Sequence, residues 1–289
     1  MTPHPGDSPW FRNYGPAPDA CVRLVCLPHA GGSASFYFPL ARALSPKIEV
    51  LAVQYPGRQD RHAEPCVQSI EDMADRIAEA LGPWTDRPYA LFGHSMGAMV
   101  GFEVARRMEA SGEGPLELFV SGRQAPSRDR GEQWHPRTDE EVVAEIRALE
   151  GTGESLLDDP EVLRMILPAL RADYRAVQRY RYRPGPALEC PVTAITGDRD
   201  PKATVDAVRA WQDHTLGGFR LRVLPGGHFY LVGEQDEVLR TVRDRLAITP
   251  VAARRRCTRR PWAASGSWAP GRICPNRSCP TRWSGPAPG

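Results

Sequence analysis

Six short apolar runs alternate with helical patterns along the first 247 residues, and this alternation leaves few possible architectures. The runs are predicted as buried strands: Val22–Leu27, Ile48–Val53, Tyr89–Phe92, Leu116–Ser121, Val192–Thr196 and Phe219–Leu224. The helical patterns between or after them are Phe36–Leu44, Ile70–Leu81, Met96–Ala110, Thr204–Asp213 and Asp236–Leu246. Strand–helix–strand units of this spacing favour right-handed crossovers. The sequence therefore predicts an α/β fold with a mostly parallel sheet and helices on both faces.

One segment, at about residues 123–186, contains no convincing strand. It begins with a polar stretch, Arg123–Arg137, and continues with apolar residues at helical spacing. These residues are Val142, Val143, Ile146 and Leu149, followed by Leu163, Ile166, Leu167, Leu170, Tyr174 and Val177. We interpret the segment as a helical lid inserted between two strands, with an additional helical layer as the alternative.

The charge of the chain is unevenly distributed. Residues 1–247 contain 29 basic and 35 acidic residues, an acidic balance that argues against nucleic-acid binding. Residues 248–289 contain eight arginines, no acidic residue and seven of the 29 prolines. We therefore expect a domain over 1–247 and a disordered basic tail over 248–289. A functional basic arm or a shifted reading frame would explain the same tail composition.

Several classes of protein and site are not indicated. No stretch is long and apolar enough to cross a membrane, and residues 1–14 contain no apolar run typical of a secretory signal. The seven cysteines form no C-x-x-C and no zinc-binding spacing, and their usage is typical of a reducing cytoplasm. Phosphate-binding glycine motifs are absent from the sequence. We expect a cytoplasmic protein with neither a cofactor nor a metal.

The G-x-S-x-G motif at residues 93–97 is the strongest chemical signal. It follows an apolar strand and precedes a helix, the context in which a serine becomes an exposed nucleophile at a sharp turn. Glycines two residues before and after Ser95 permit that turn. The motif predicts Ser95 as the nucleophile of an acyl-transfer site.

A nucleophilic serine requires a base and an orienting carboxylate, in the chain order Ser, Asp or Glu, His. His228 lies in a glycine-rich loop after a strand, whereas His214 ends a predicted surface helix where a solvated or capping role is expected. We therefore predict His228 as the base. Asp198 and Asp200 both follow the strand at 192–196. Spacing favours Asp200, whose backbone is restricted by the following proline, while Asp198 can shape the turn.

An oxyanion hole would complete such a site. One expected donor is the backbone N–H of Met96, directly after the nucleophile. The other is expected in the P-H-A-G-G loop at residues 28–32, where we predict the N–H of Ala30, with Gly31 as the alternative.

Over about residues 10–247 the chain resembles type II thioesterases of the α/β-hydrolase superfamily, the editing enzymes of polyketide and non-ribosomal peptide synthesis. The motifs that carry the resemblance are L-P-H-A-G-G at 27–32, Y-P-G-R at 55–58, G-H-S-M-G at 93–97, G-D-R-D-P at 197–201 and G-H-F at 227–229. The resemblance implies a triad of Ser95, Asp200 and His228. It also implies that the substrate is an acyl group on the phosphopantetheine arm of an acyl carrier protein. The resemblance favours a carrier of a polyketide system over one of a peptide system.

Two functional alternatives accompany this interpretation. The same triad would serve a broad-specificity esterase or acyltransferase, and a scaffold without activity would only bind carrier domains. Arg58 and Arg61, in the loop after the second strand, are candidate contacts to a carrier protein or to the phosphate of its arm, although exposed arginines are usually only solvated.

Overall fold

The sheet that organises the fold has seven strands, six of them parallel. The structure is a computed structural model that describes residues 8–128, 138–149 and 159–247. The strands are β1 (Phe11–Arg12), β2 (Val22–Leu27), β3 (Ile48–Val53), β4 (Tyr89–His94), β5 (Leu118–Ser121), β6 (Val192–Gly197) and β7 (Phe219–Leu224). Their order is β1-β3-β2-β4-β5-β6-β7, and only β1 is antiparallel to its neighbour.

The helices connect these strands across the two faces of the sheet. They are α1 (Phe38–Leu44), α2 (Ile70–Leu81), α3 (Met96–Ala110), α4 (Asp139–Ala148), α5 (Pro160–Arg179), α6 (Val205–Arg209), α7 (Tyr230–Gly233) and α8 (Gln235–Ala247). Short 3-10 turns precede α1 at Ala34–Tyr37 and follow α6 at Ala210–His214. The sequence predicts a single helix over Phe36–Leu44 and another over Thr204–Asp213. The structure divides each of them into a 3-10 turn and a shorter α-helix.

Two apolar cores, one on each face, explain why the strands are almost entirely apolar. On one face, residues of α2 and α3 pack against alternate strand residues such as Val25 and Leu91. On the other face, α1 and α8 pack against residues such as Leu24 and Phe92. Alternate side chains of one strand point to opposite faces, so a sheet covered on both sides needs apolar residues at every position. The predicted α/β-hydrolase fold, with helices on both faces, is confirmed.

Strand register brings the functional loops to one edge of the sheet. Leu27 pairs with Gly93, and His94 pairs with Ser121. The chain therefore leaves β2, β4 and β5 at neighbouring positions of the carboxyl edge, where ligands bind in sheets of this kind. A buried ion pair, Arg23 Nε to Glu49 Oε2 at 2.8 Å, lies at the amino ends of β2 and β3, on the opposite edge.

The segment between β5 and β6 contributes α4 and α5, and none of its described residues from 123 to 186 belongs to a strand. Residues 129–137 and 150–158 of the predicted insert, and the predicted tail at 248–289, lie outside the described residues. The strand β1 was not predicted, because two residues carry no periodicity. Within the described part of the chain, no helix is both long and apolar enough to cross a bilayer.

Candidate active site

The turn between β4 and α3 holds Ser95 in an unusual backbone conformation. Its φ of 54° and ψ of −116° lie in a region that residues with a side chain rarely adopt. Such a residue costs on the order of 1–3 kcal/mol and tends to occur at functional sites. The Ser95 N–H donates to the carbonyl of Ser121 at 2.8 Å, which ties the turn to the end of β5.

The two glycines of the motif are required by close backbone approach. A Cβ on Gly93 would lie 2.1 Å from the carbonyl oxygen of Gly97, inside any permitted contact. A Cβ on Gly97 would lie 2.0 Å from the carbonyl oxygen of Leu27, at the end of β2. The first turn of α3 is therefore pressed against the strand ends, and the helix N-terminus points at Ser95.

The structure brings Ser95, His228 and Asp200 into one row. Ser95 Oγ lies 3.0 Å from His228 Nε2. On the other side of the ring, His228 Nδ1 lies 2.9 Å from Asp200 Oδ2 and 3.0 Å from Oδ1. In the tautomer protonated at Nδ1, the ring donates to Asp200 and its Nε2 accepts from the serine hydroxyl, as a general base must.

The two competing aspartates have different surroundings. The Asp200 side chain is 0% exposed, and its Oδ1 accepts from the backbone N–H groups of Lys202 at 2.8 Å and Ala203 at 3.2 Å. These bonds fix the carboxylate toward His228. Asp198 is 53% exposed and accepts from the Gly226 N–H at 2.8 Å, the turn-shaping role expected for it.

The two predicted oxyanion donors line the same cavity as Ser95. The backbone of Met96 begins α3, and Ala30 lies across from it in the loop after β2. Gly31, the alternative donor, is engaged elsewhere, since its N–H donates to Asp173 Oδ2 at 2.7 Å. Among the described residues, no protein acceptor takes the N–H of Ala30 or Met96. Both groups can therefore face a developing oxyanion.

A cavity of about 150 Å³ opens over Ser95. Residues of the segment between β5 and β6 form its apolar wall: Leu149, Ile166, Leu170 and Val177. Two cationic residues, Arg123 and Lys202, also line it. An apolar cavity of roughly this size holds benzene, so the space accommodates a short acyl group. A larger cavity of about 840 Å³ beside the C-terminal half of α3 contains none of the predicted site residues.

Two further histidines surround His228. Burial, with smaller contributions from His228 and Arg58, lowers the pKa of His29 to about 3. Burial also lowers the pKa of His94 well below its usual value, and His94 Nδ1 lies 2.9 Å from Ser121 Oγ. The ring centroids of His94 and His228 are 5.1 Å apart. Both neighbours are therefore neutral near pH 7, and neither opposes a positive charge on His228.

Three sequence-based interpretations of side-chain position are wrong. Arg58 and Arg61 are each 6% exposed and form ion pairs with Asp173 and Glu64, so neither is a free surface contact. His214, expected at a surface, is buried, and its Nε2 lies 2.8 Å from Ser127 Oγ. The polar composition of these segments is typical of exposed loops, whereas Arg58, His214 and Arg61 are buried against Asp173, Ser127 and Trp10, which are distant in sequence.

Asp173 was not predicted as a functional residue, although its position within an apolar helical stripe is a signal in the sequence. Asp173 is 0% exposed and lies among Ile166, Leu170 and Val177 on the apolar face of α5. A carboxylate in an apolar stripe requires a buried partner. No three His, Cys, Asp or Glu side chains among residues 8–128, 138–149 and 159–247 are placed to hold a metal ion.

Comparison with known proteins identifies relatives over most of the chain. Residues 22–246 match the Thioesterase domain family. Thioesterase PikA5 of Streptomyces venezuelae is 50% identical over 242 residues, covering 83% of this chain and 86% of the relative.

Solved structures agree with this match. The type II thioesterase BorB from the borrelidin biosynthetic cluster is 52% identical, with a TM-score of 0.78 over 82% of this chain and 97% of BorB. YbtT, the type II thioesterase from the yersiniabactin NRPS/PKS pathway, is 28% identical, with a TM-score of 0.71 over 82% of this chain and 98% of YbtT.

Replacing the two loop aspartates separately tests which of them orients His228. Asp200→Asn should lower kcat/KM for an acyl thioester by about 10³-fold or more, because an amide does not hold the required tautomer or stabilise the imidazolium. Asp198→Asn should stay within about threefold of wild type, since its amide oxygen still accepts from Gly226. Equal, mild losses at both positions would contradict the assignment.

The buried His29 makes stability depend on pH. Its pKa is about 3 in the folded state against an ordinary value of 6.5, so the unfolded chain binds more protons between these values and stability falls as pH falls below about 6.5. His29→Gln should reduce the loss of unfolding free energy between pH 7 and pH 5 by about 2 kcal/mol, measured by urea denaturation. His62→Gln, at an exposed histidine, is the control and should leave the loss unchanged. An unaltered pH dependence in His29→Gln would show that His29 is not buried neutral.

Proposed function

Because the chain belongs to the thioesterase family as a type II thioesterase, the kind associated with polyketide and non-ribosomal peptide pathways, we propose that Ser95, His228 and Asp200 hydrolyse acyl groups from carrier proteins. The acyl group is held as a thioester on the phosphopantetheine arm. The hydrogen-bonded row from Ser95 Oγ through His228 to Asp200 is the observation that carries the proposal.

The reaction follows from the positions of these groups. Ser95 Oγ attacks the thioester carbonyl while His228 Nε2 accepts its proton, and Asp200 stabilises the imidazolium. The N–H groups of Ala30 and Met96 donate to the oxyanion of the tetrahedral intermediate. His228 then protonates the leaving thiolate, and the acyl-enzyme is hydrolysed by a water that His228 activates in the same way.

The dimensions of the site favour an editing role. The cavity over Ser95 has room for a short acyl group. Under this proposal, the short acyl groups are those that remain on a carrier protein when extension of the growing acyl chain fails. Their hydrolysis frees the thiol, and the relatives from PKS and NRPS pathways support this context.

The helices α4 and α5 are proposed to act as a lid. Side chains of α5 form one wall of the cavity, including Ile166, Leu170 and Val177. A carrier-borne acyl group arrives on a long thin arm, so it enters beneath the helices while the carrier domain stays outside. Arm and carrier contacts outside the cavity then supply binding energy for positioning the carbonyl at Ser95.

Removing the nucleophile tests the chemistry. Ser95→Ala should reduce thioester hydrolysis by on the order of 10³-fold or more, because only binding and the oxyanion donors remain. The melting temperature should not fall, since the alanine leaves no large cavity. Residual activity above about a tenth of wild type would refute the assignment of Ser95.

The carrier contribution is tested by comparing two forms of one substrate. With the same short acyl group, kcat/KM on the acyl carrier protein should exceed that on the small-molecule thioester by at least about tenfold, roughly 1.4 kcal/mol of transition-state stabilisation. The matching oxygen ester serves as a third substrate. Equal kcat/KM on carrier and free thioester would remove the carrier from the proposal, and preference for the oxygen ester would favour a general esterase.

A further inference from the structure

A four-residue turn carries the proposed oxyanion donor. The N–H of Gly32 donates to the carbonyl of His29 at 2.9 Å and closes the turn over residues 29–32. The carbonyl of His29 and the N–H of Ala30 belong to the same planar peptide and point in opposite directions. The orientation of this turn therefore sets the direction in which the Ala30 N–H points.

A buried ion pair holds the turn from outside. Asp173 Oδ2 accepts from the Gly31 N–H at 2.7 Å and from Arg58 Nη1 at 2.7 Å, while Oδ1 accepts from Arg58 Nη2 at 2.8 Å. The same Arg58 Nη1 donates to the carbonyl of Gly32 at 3.0 Å. Two consecutive residues of the turn are thus bound to one carboxylate–guanidinium unit.

The loop after β3 supports the guanidinium. Arg58 stacks over the ring of Tyr55 at 5.0 Å, and the Tyr55 hydroxyl donates to the carbonyl of Pro28 at 3.3 Å. Gln54 donates to the carbonyl of Arg58 at 3.0 Å and accepts from the Ala34 N–H at 2.9 Å. Residues 54–58 thereby contact the chain on both sides of the turn, at Pro28 and at Ala34.

We infer that Asp173 and Arg58 are positioning residues that hold the turn at 29–32 so that the Ala30 N–H faces the oxyanion. Asp173 lies on α5, whose Leu170 packs near Ala30. The hole is therefore complete only when α5 is docked, which links the lid to the chemical step. The inference rests on the proposed function of Ala30 as an oxyanion donor.

The fork geometry explains why this pair suits the task. A guanidinium and a carboxylate joined by two parallel bonds have one relative orientation, and a single point charge would not impose it. The pair is almost fully buried, with side chains 6% and 0% exposed, so water does not compete for these bonds. Displacing a catalytic group by about 1 Å costs up to about 10²-fold in rate.

The test compares the Arg58–Asp173 pair with the Arg23–Glu49 pair, which is also buried but lies at the amino ends of the strands. Asp173→Asn should lower kcat on the acyl thioester by about tenfold or more, with KM within about threefold of wild type. The affinity for a boronic acid that forms a tetrahedral adduct on Ser95 should fall by a similar factor. Glu49→Gln, which breaks the Arg23–Glu49 pair, is the matched control and should lower the melting temperature while kcat stays within about twofold.

A second variant separates positioning from stability. Replacing both partners by apolar residues, Arg58→Met with Asp173→Leu, removes the buried charges and should recover melting temperature without recovering kcat. Arg58→Lys keeps the positive charge but cannot form two parallel hydrogen bonds to Asp173, so kcat should fall while KM stays near the wild-type value. This variant tests the inference if Asp173→Asn does not fold. Wild-type kcat and boronic acid affinity in the folded variants would overturn the inference. Absence of thioester hydrolysis by the wild-type protein would instead refute the proposed function.

Discussion

The contact between the first turn of α3 and the ends of β2 and β4 is the constraint on which the site depends. With no side chain on Gly93 or Gly97, the helix backbone reaches the carbonyl of Leu27. This approach forces Ser95 into its strained conformation and exposes its hydroxyl at the carboxyl edge of the sheet. It also brings the N–H of Met96 beside the loop that follows β2. The proposed nucleophile, the proposed oxyanion donor at Met96 and the N-terminus of α3 thus share one origin, a backbone contact that any residue larger than glycine would prevent.

Near this contact, a buried carboxylate lies beside His228, and burial keeps the two neighbouring histidines uncharged. His228 has a buried carboxylate, Asp200, as its partner on one side. The nearby rings of His29 and His94 are kept neutral because burial lowers the pKa of each. The positive charge of Arg58 is matched within hydrogen-bond distance by Asp173. In the proposed reaction, an imidazolium at His228 would therefore have no protonated histidine beside it, and the carboxylate of Asp200 would be its partner.

Expectations drawn from local pattern and those drawn from polarity had different outcomes. The ranges of β2, β3, α2 and α3 agree with the predicted segments, because their apolar periodicity reflects packing in a sheet covered on both faces. The range of β7, an edge strand of alternating apolar and charged residues, also agrees. Polarity misled for Arg58, Arg61 and His214, all of which are buried. A charged or polar residue in a loop is usually solvated, and the burial of Arg58 and His214 involves Asp173 and Ser127, which no local window contains. Asp173 was the exception that a local pattern could have revealed, since a carboxylate within an apolar helical stripe needs a buried cation.

The sequence by itself determined the parallel α/β architecture and the turn that holds Ser95, because these follow from local periodicity and backbone sterics. It also determined that a candidate carboxylate and then a candidate histidine follow Ser95 along the chain. It narrowed the carboxylate to two aspartates and the second oxyanion donor to two amides without separating either pair by geometry. Only the tertiary structure separates the candidates, because Asp200 lies within 3.0 Å of His228 and the Gly31 N–H is taken by Asp173; this geometry supports Asp200 and Ala30. Residues one or two positions apart in a loop have nearly the same local sequence, and only distances across the sheet and to α5 distinguish their surroundings.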